Sequence, residues 1–298
     1  MSETTAALAR SITRTGSNQT YHTIRLLVDR DLVDDCYRAY AYFRWADDIV
    51  DVSYRSIDER VSFIGQQRKL IDRLYTGERP DGLTAEEEMV ADLIWRDEEE
   101  NSGLRSFIYN FLSVIEFDAQ RMGRLISQEE LTWYSNAVGR AVTDCVLHFV
   151  GHGYPYPDTE SRFLGPIGAH IAHMLRDMLA DTADGLINIP REYLEANGIL
   201  PEDVGAAPYQ AWVRERVEQA RQHFRDGKRF FDQLDLLRPK VVGYWYCARF
   251  EGVLNAIQRD GYVLRVAYNE RRRPSSLLRF AFLPLSVSAR HLSRRLLR

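Results

Sequence analysis

The sequence predicts an all-α fold, a single helical bundle around a central cavity. Three observations predict it. Apolar residues recur every three or four positions through most of the 298-residue chain. Alternating β-branched runs bounded by turn dipeptides, the mark of strands, are nearly absent. Seven or eight long helical segments follow one another with no internal repeat and no low-complexity linker, which reads as one bundle. The expected organisation is a main all-α domain over residues 1–270 and a basic amphipathic segment over 271–298.

The elements follow in order. Residues 32–52 repeat apolar positions at helical spacing, and 56–77 do the same up to Gly77. Residues 78–82 make a loop. The helix over 83–100 opens on a capping box, Thr84 with Glu87 three residues on. The next, 104–123, stops at Gly123, and 127–151 begins with Ser127 as cap and Glu130 behind it. Residues 153–161 form a loop, and 163–185 is expected to be helical after Pro166 and to end at Gly185. A short helix sits within the loop 187–199, before two long helices at 208–234 and 241–262.

Composition narrows the function. The formal charge of −4 argues against nucleic acid as a partner. Cys36, Cys145 and Cys247 have no Cys-x-x-Cys spacing and read as reduced thiols. The polar first 21 residues are not a signal peptide, and no run of 18 apolar residues appears. The expected location is the cytoplasm. Arg271 to Arg298 contains eight arginines and no acidic residue around an apolar stretch broken by Pro284. It reads either as a terminal helix packed on the body or as a segment making peripheral contact with an anionic membrane.

The chemistry lies in two segments. In YAYFRWADDIVD (40–51), Asp47 and Asp51 are four apart, so a helix presents both on one face, with Arg44 and Tyr40 one and two turns earlier. Two carboxylates so placed repel each other unless a cation intervenes, and Mg²⁺ with its oxygen ligands is the usual one. In HIAHMLRDMLAD (170–181), Asp177 and Asp181 repeat the spacing beside Arg176. His170, His173 and both aspartates fall in one polar stripe on an otherwise apolar helix. A bundle that brought two such faces together would hold Mg²⁺ against a diphosphate, with arginines meeting the remaining phosphate charge. Departure of diphosphate from carbon needs that electrophilic pull and an apolar cavity for the hydrocarbon cation.

At these residues the chain resembles the squalene/phytoene synthase family of head-to-head isoprenyl diphosphate synthases. YAYFRWADDIVD is similar to that family's first aspartate motif, and MLRDMLADTADGLINIP to its second. FDAQRMGRLISQEELTWY, with Asp118 and Arg124, resembles the segment linking them. RFEGVLNAIQRDGYVL resembles a late helix, and the likeness runs over residues 15–273. The resemblance implies an isoprenoid-synthase bundle and dependence on Mg²⁺ held by Asp47, Asp51, Asp177 and Asp181. It implies that Arg44 and Arg176 contact the diphosphate of a farnesyl or geranylgeranyl substrate. Tyr40 and Asp48 fall within the first motif, and Asn18, Thr20 and Tyr21 stand where the family has an N-terminal flap. NADPH enters only if the product is squalene-like.

The departures matter for the reaction. His170 and His173 replace the glutamine and asparagine usual before the second motif. Val142 stands for a small glycine near the chain-binding cavity, and Phe250 for a common tyrosine. Three readings of the histidines are open: structural hydrogen-bonding groups, donors or a base facing diphosphate or carbocation, or a transition-metal site with Asp177. Three functions follow: head-to-head condensation of two prenyl diphosphates, a class I terpene synthase ionising one prenyl diphosphate, or a non-catalytic scaffold of the same fold. Arg140 and Asp144, four apart, are expected to pair, and His148 with His152 to be structural.

Overall fold

The computed structural model describes residues 2–51, 56–99, 102–268 and 274–296, without the side chains of 2–3, 274–281 and 294–296. The expected helix ends at Val52 and Glu100, and Arg271, Arg272, Arg273 and Arg298, lie outside these residues. All twelve long elements among the described residues are α-helices. The chain divides into two compact units, residues 1–120 with 144–155, and residues 121–143 with 156–298.

The first unit holds α1 (Ser2–Gly16), α2 (Asn18–Leu27), a 3-10 turn (Arg30–Leu32), α3 (Val33–Val50), α4 (Ile57–Tyr75), α5 (Ala85–Arg96) and nearly all of α6 (Leu104–Arg121). Its core gathers Tyr42, Phe43 and Ala46 of α3, Ile64 and Ile71 of α4, Met89 and Leu93 of α5, and Phe107 and Ile108 of α6. The expected capping box at Thr84 and Glu87 is present, and Ser56 with Glu59 forms a second at the start of α4.

Helix α1 was not legible as an element, because its inner face is small and polar. Thr5, Ala6, Ala9 and Thr13 are its buried positions. Thr5 donates to Asp92 on α5 at 2.7 Å and accepts from the Arg38 Nε at 3.1 Å. Arg38, 1% exposed, bonds Asp35 at 2.7 Å. This buried, paired charge fixes α1 across α3 and α5. Asp29 closes the unit by accepting from the backbone N–H groups of Gly151 and His152 at 2.8 and 2.9 Å.

The second unit contains α8 (Ser161–Ala183), α9 (Arg191–Asn197), α10 (Ala207–Gln233), α11 (Leu237–Arg259) and α12 (Pro274–Leu296). The helix α7 (Gln128–Phe149) begins there, with Ser127 and Glu130 bonded reciprocally as its cap. Helix α8 starts at Ser161, ahead of Pro166 rather than after it. Pro166 removes the N–H that would reach the carbonyl of Arg162, and the Thr143 hydroxyl lies 3.4 Å from that carbonyl. Helix α8 is almost wholly apolar on its inner sides and packs against α10 and α11. The approach is close: a Cβ added at Gly227 would lie 2.6 Å from the backbone nitrogen of Gly165.

The C-terminal segment forms α12, which lies on α11 with Val287 and His291 buried. No helix of the described residues is long and apolar enough to cross a membrane. Of the tryptophans, Trp212 is buried, whereas Trp133 is 45% exposed. Arg140 bonds Glu160 at 3.1 Å, and Asp144 accepts from Ser106 at 2.6 Å, partners that sequence spacing did not suggest.

Gly227→Ala should therefore lose about 1–3 kcal/mol to overpacking, lowering the melting temperature by about 2–10 °C. Gly252→Ala, where an added Cβ meets nothing within 4 Å, should raise it through helix propensity. Thermal melts followed by far-UV circular dichroism check both, and a Gly227→Ala protein melting with the wild type would refute the close α8–α10 crossing.

Candidate active site

In the first unit the candidate residues are carried by α3. Tyr40, Arg44, Asp47, Asp48 and Asp51 occupy its last three turns, and Asp51 is its C-cap. No basic residue lies in the last turn. Carboxylates at a helix C-terminus face the negative end of the macrodipole, so this placement is unfavourable without a cation. Arg44 bonds Asp48 across one turn. Both side chains are about half exposed, so the pair is weak.

Asp47 is half-buried. Burial, then the nearby carboxylates of Asp51, Asp118 and Asp48, outweigh Arg44 and push its carboxyl up to about 7. Burial and Asp118 push Asp51 up as well. Asp118, on α6, is a member of this cluster that spacing alone could not place, although the likeness of FDAQRMGR to the family's linking segment pointed to it. The N-terminal flap candidates lie on the same unit. Gly16 packs within 4.0 Å of Tyr40 and Arg44, just before Asn18, which is exposed. Thr20 shares its hydroxyl with the Ser17 cap at 2.8 Å, and Tyr21 stacks on Tyr37 with ring centroids 5.3 Å apart.

In the second unit α8 carries the other set. Its last turn also lacks a basic residue. Arg176 grips Asp177 with two bonds, Nε to Oδ1 at 2.7 Å and a terminal nitrogen to Oδ2 at 2.5 Å. His173 Nε2 lies 2.9 Å from the same Oδ2. Burial works to raise Asp177, but Arg176 and His173 win and hold its carboxyl well below the ordinary carboxylate range. Asp181 accepts from Asn188 at 3.0 Å, and Asn188 accepts from Arg121 at 2.8 Å. Arg121 is buried with its guanidinium 4.7 Å from the Tyr134 ring centroid. Neither Asn188 nor Arg121 was singled out from the sequence, since both come from outside α8.

The polar stripe does not hold together as one surface. His170 is buried edge-on against Tyr134, and its Nε2 has no hydrogen-bond partner. Burial, with His173, Arg121 and Arg216 nearby, lowers it to about 3. Desolvation disfavours its charged, imidazolium form. His173 is half exposed and lies against Phe250, ring centroids 6.1 Å apart. Phe250 itself is buried, and Val142 is half-buried on α7. Among the described residues no group of three or more His, Cys, Asp or Glu is arranged to hold a metal ion through those side chains alone. His148 and His152 direct their Nδ1 atoms to backbone carbonyls at 3.1 and 3.0 Å.

The carboxylates of α3 fit a hard divalent cation. They are crowded, partly desolvated and short of positive charge, and Mg²⁺ takes only one or two protein carboxylates, its other ligands being water and phosphate. Asp177 keeps one lone pair free on Oδ1 beyond its bonds to Arg176 and His173.

The fold is that of known squalene synthases. Squalene synthase HpnC from Alicyclobacillus acidocaldarius superimposes with a TM-score of 0.69 at 20% identity, over 89% of this chain and 97% of that one. A dehydrosqualene synthase solved with ligand gives 0.69 at 14% identity, over 98% of each. The squalene/phytoene synthase family model matches residues 13–279, and the chain belongs to that family of isoprenoid synthases. It is 25% identical over 296 residues to the bifunctional lycopene cyclase/phytoene synthase of Podospora anserina. That match covers 88% of this chain and 48% of the relative, so the chain spans about half the relative's length.

The raised carboxyls give a signed prediction. Asp47 ordinarily titrates near 3.8 and stands at about 7 in the folded, metal-free protein. Its ionisation thus costs the folded state nothing at low pH and increasingly more as pH rises towards 7. Asp47→Asn should raise the melting temperature of metal-free protein clearly at about pH 8 and little at about pH 4. Calorimetry at the two pH values checks this, and an equal shift at both would refute the crowded-carboxylate reading.

Proposed function

We propose that this protein is a Mg²⁺-dependent prenyltransferase. In this reading it condenses two prenyl diphosphates, farnesyl or geranylgeranyl, head-to-head with release of diphosphate, giving a squalene-type or phytoene-type product. The observation that carries the reading is the paired carboxylates at the C-terminal ends of α3 and α8, each set with an arginine in contact. The family membership and the names of the relatives, a phytoene synthase and two squalene-type synthases, support it.

Asp47, Asp51, Asp177 and Asp181 would hold Mg²⁺, which supplies electrophilic stabilisation of charge on the leaving diphosphate. Arg44 would exchange its exposed Asp48 partner for phosphate oxygens, a low-cost exchange for a half-exposed pair. Arg176 is less exposed, at 17%, and its fork is already aligned on Asp177, so it would orient phosphate and carboxylate together. Asn188 holds the Asp181 carboxylate in one orientation through its link to Arg121. NADPH would be consumed only in a squalene-forming reaction. The packing of Phe250 on His173 favours a second reading, a class I terpene synthase acting on a single prenyl diphosphate, because both residues replace polar groups common in the family.

Incubation with farnesyl or geranylgeranyl diphosphate and Mg²⁺, with and without NADPH, followed by mass spectrometry, distinguishes these. A hydrocarbon of two prenyl units is expected, a one-unit product would support the second reading, and no diphosphate release from either substrate would sink both. Asp47→Ala and Asp177→Ala should each lower turnover by about 100-fold or more, the scale of losing several kcal/mol of transition-state charge stabilisation. Wild-type turnover in either variant would remove that residue from the site.

A further inference from the structure

Two guanidinium groups of the second unit have no anionic partner among the described residues. Arg216 on α10 bonds the amide oxygen of Gln219 at 2.6 Å and lies 5.9 Å from the Trp212 ring centroid. Arg249 on α11 sits 5.5 Å from the Phe250 ring centroid, and its Nε is buried without a hydrogen-bond partner. Both side chains are half-buried. Burial alone lowers Arg216 to about 10. Burial lowers Arg249 as well, with Tyr246 opposing the effect and Arg176 adding to it. A half-buried cation left unpaired is a cost to the fold. Other arginines of α10 avoid it: Arg221 pairs with Glu218 and Arg229 with Asp226.

Packing brings both groups to one stretch of α8. Helices α8 and α10 run antiparallel, since Gly165 meets Gly227 and, three residues on, Gly168 meets Ala220. Arg216 is one turn before Ala220, so it lies beside the turn of α8 that follows Gly168 and carries His170 and His173. On the other side, α11 reaches the same turn through Phe250, 6.1 Å from the His173 ring. The carboxylates here are already engaged, Asp177 by Arg176 and His173, and Asp181 by Asn188. Arg121, Arg176, Arg216 and Arg249 therefore bring four positive charges to a stretch that holds two carboxylates, Asp177 and Asp181. Guanidinium groups on separate helices cannot share a single oxygen. An anion that balances them carries more than one charge and spreads its acceptor oxygens over several directions, and a diphosphate group does both.

We propose that Arg216 and Arg249 are further diphosphate-binding residues, which together with Arg176 hold the anion on the second unit without help from a metal. Neither has a role implied by the family resemblance, and the proposal rests on the prenyl diphosphate reading given above. Isothermal titration calorimetry of the full chain with inorganic diphosphate, in chelator and without divalent metal, tests it. The wild type is expected to bind, and Arg216→Gln and Arg249→Gln each to bind about 10-fold or more weakly, the scale of one hydrogen bond to a charged group. Arg249→Lys, which keeps the charge and loses the fork, should fall between. Thermal melts separate this role from a structural one. Removing an unpaired charge should leave the ligand-free melting temperature unchanged or higher, whereas removing an arginine that serves the fold would lower it. Diphosphate should raise the melting temperature of the wild type more than that of either variant. No metal-free binding by the wild type would overturn the proposal, as would undiminished affinity in either variant or lost affinity accompanied by a lowered ligand-free melt. Binding through both arginines with no turnover of prenyl diphosphates and Mg²⁺ would uphold the anion site and sink the reaction assigned above. Turnover with undiminished diphosphate affinity in the variants would do the reverse.

Discussion

Negative charge gathered at helix C-terminal ends is the constraint on which the candidate residues depend. Helices α3 and α8 both place their aspartates towards the C-terminal end, where the helix dipole is negative, and neither has a basic residue in its last turn. A sequence selected for stability alone would put lysine or arginine there. The two helices meet the constraint differently. On α3 the carboxyls are raised by burial and by one another, with Asp118 adding to the crowd. On α8 the bidentate Arg176 and the neighbouring His173 keep Asp177 ionised. The α3 cluster is short of positive charge, whereas the α8 carboxylate is already held in its charged form.

Packing holds these helices in place. Helix α8 reaches α10 closely enough that Gly165 and Gly227 meet backbone to backbone. Helix α3 is clamped by α1 through the buried network of Thr5, Asp92, Arg38 and Asp35. Such a network is costly to break, because removing one partner leaves a buried charge alone.

Much of the fold was legible in the sequence. The helices from α3 to α11 follow from 3.6-residue periodicity and their capping residues, to within a few residues at each end. Helices α1 and α2 and the start of α8 escaped. Helix α1 buries Thr and Ala in place of large apolar residues, so its pattern is faint against a polar background. The sequence reading opens α8 after Pro166, whereas Pro166 lies in its second turn and costs it only the bond to the Arg162 carbonyl, which the Thr143 hydroxyl approaches to 3.4 Å. In the site, the aspartates and arginines were visible as repeated four-residue spacings, while Asp118, Arg121 and Asn188 come from other segments and carry no such signature.

The sequence by itself determined that the chain is helical, that two of its helices each present an aspartate pair with an arginine, and that its last 28 residues are basic without acidic partners. Tertiary structure alone decided what each polar residue became. His170 and His173 share a stripe on the helical wheel, yet one is buried edge-on against Tyr134 and the other is half exposed beside Asp177. It also decided that α12 turns Val287 inward and leaves Phe282, Leu285 and Leu292 outside. Periodicity fixes which residues share a face; desolvation and pairing depend on which other segments cover that face, and those neighbours are chosen by packing between residues far apart in the chain.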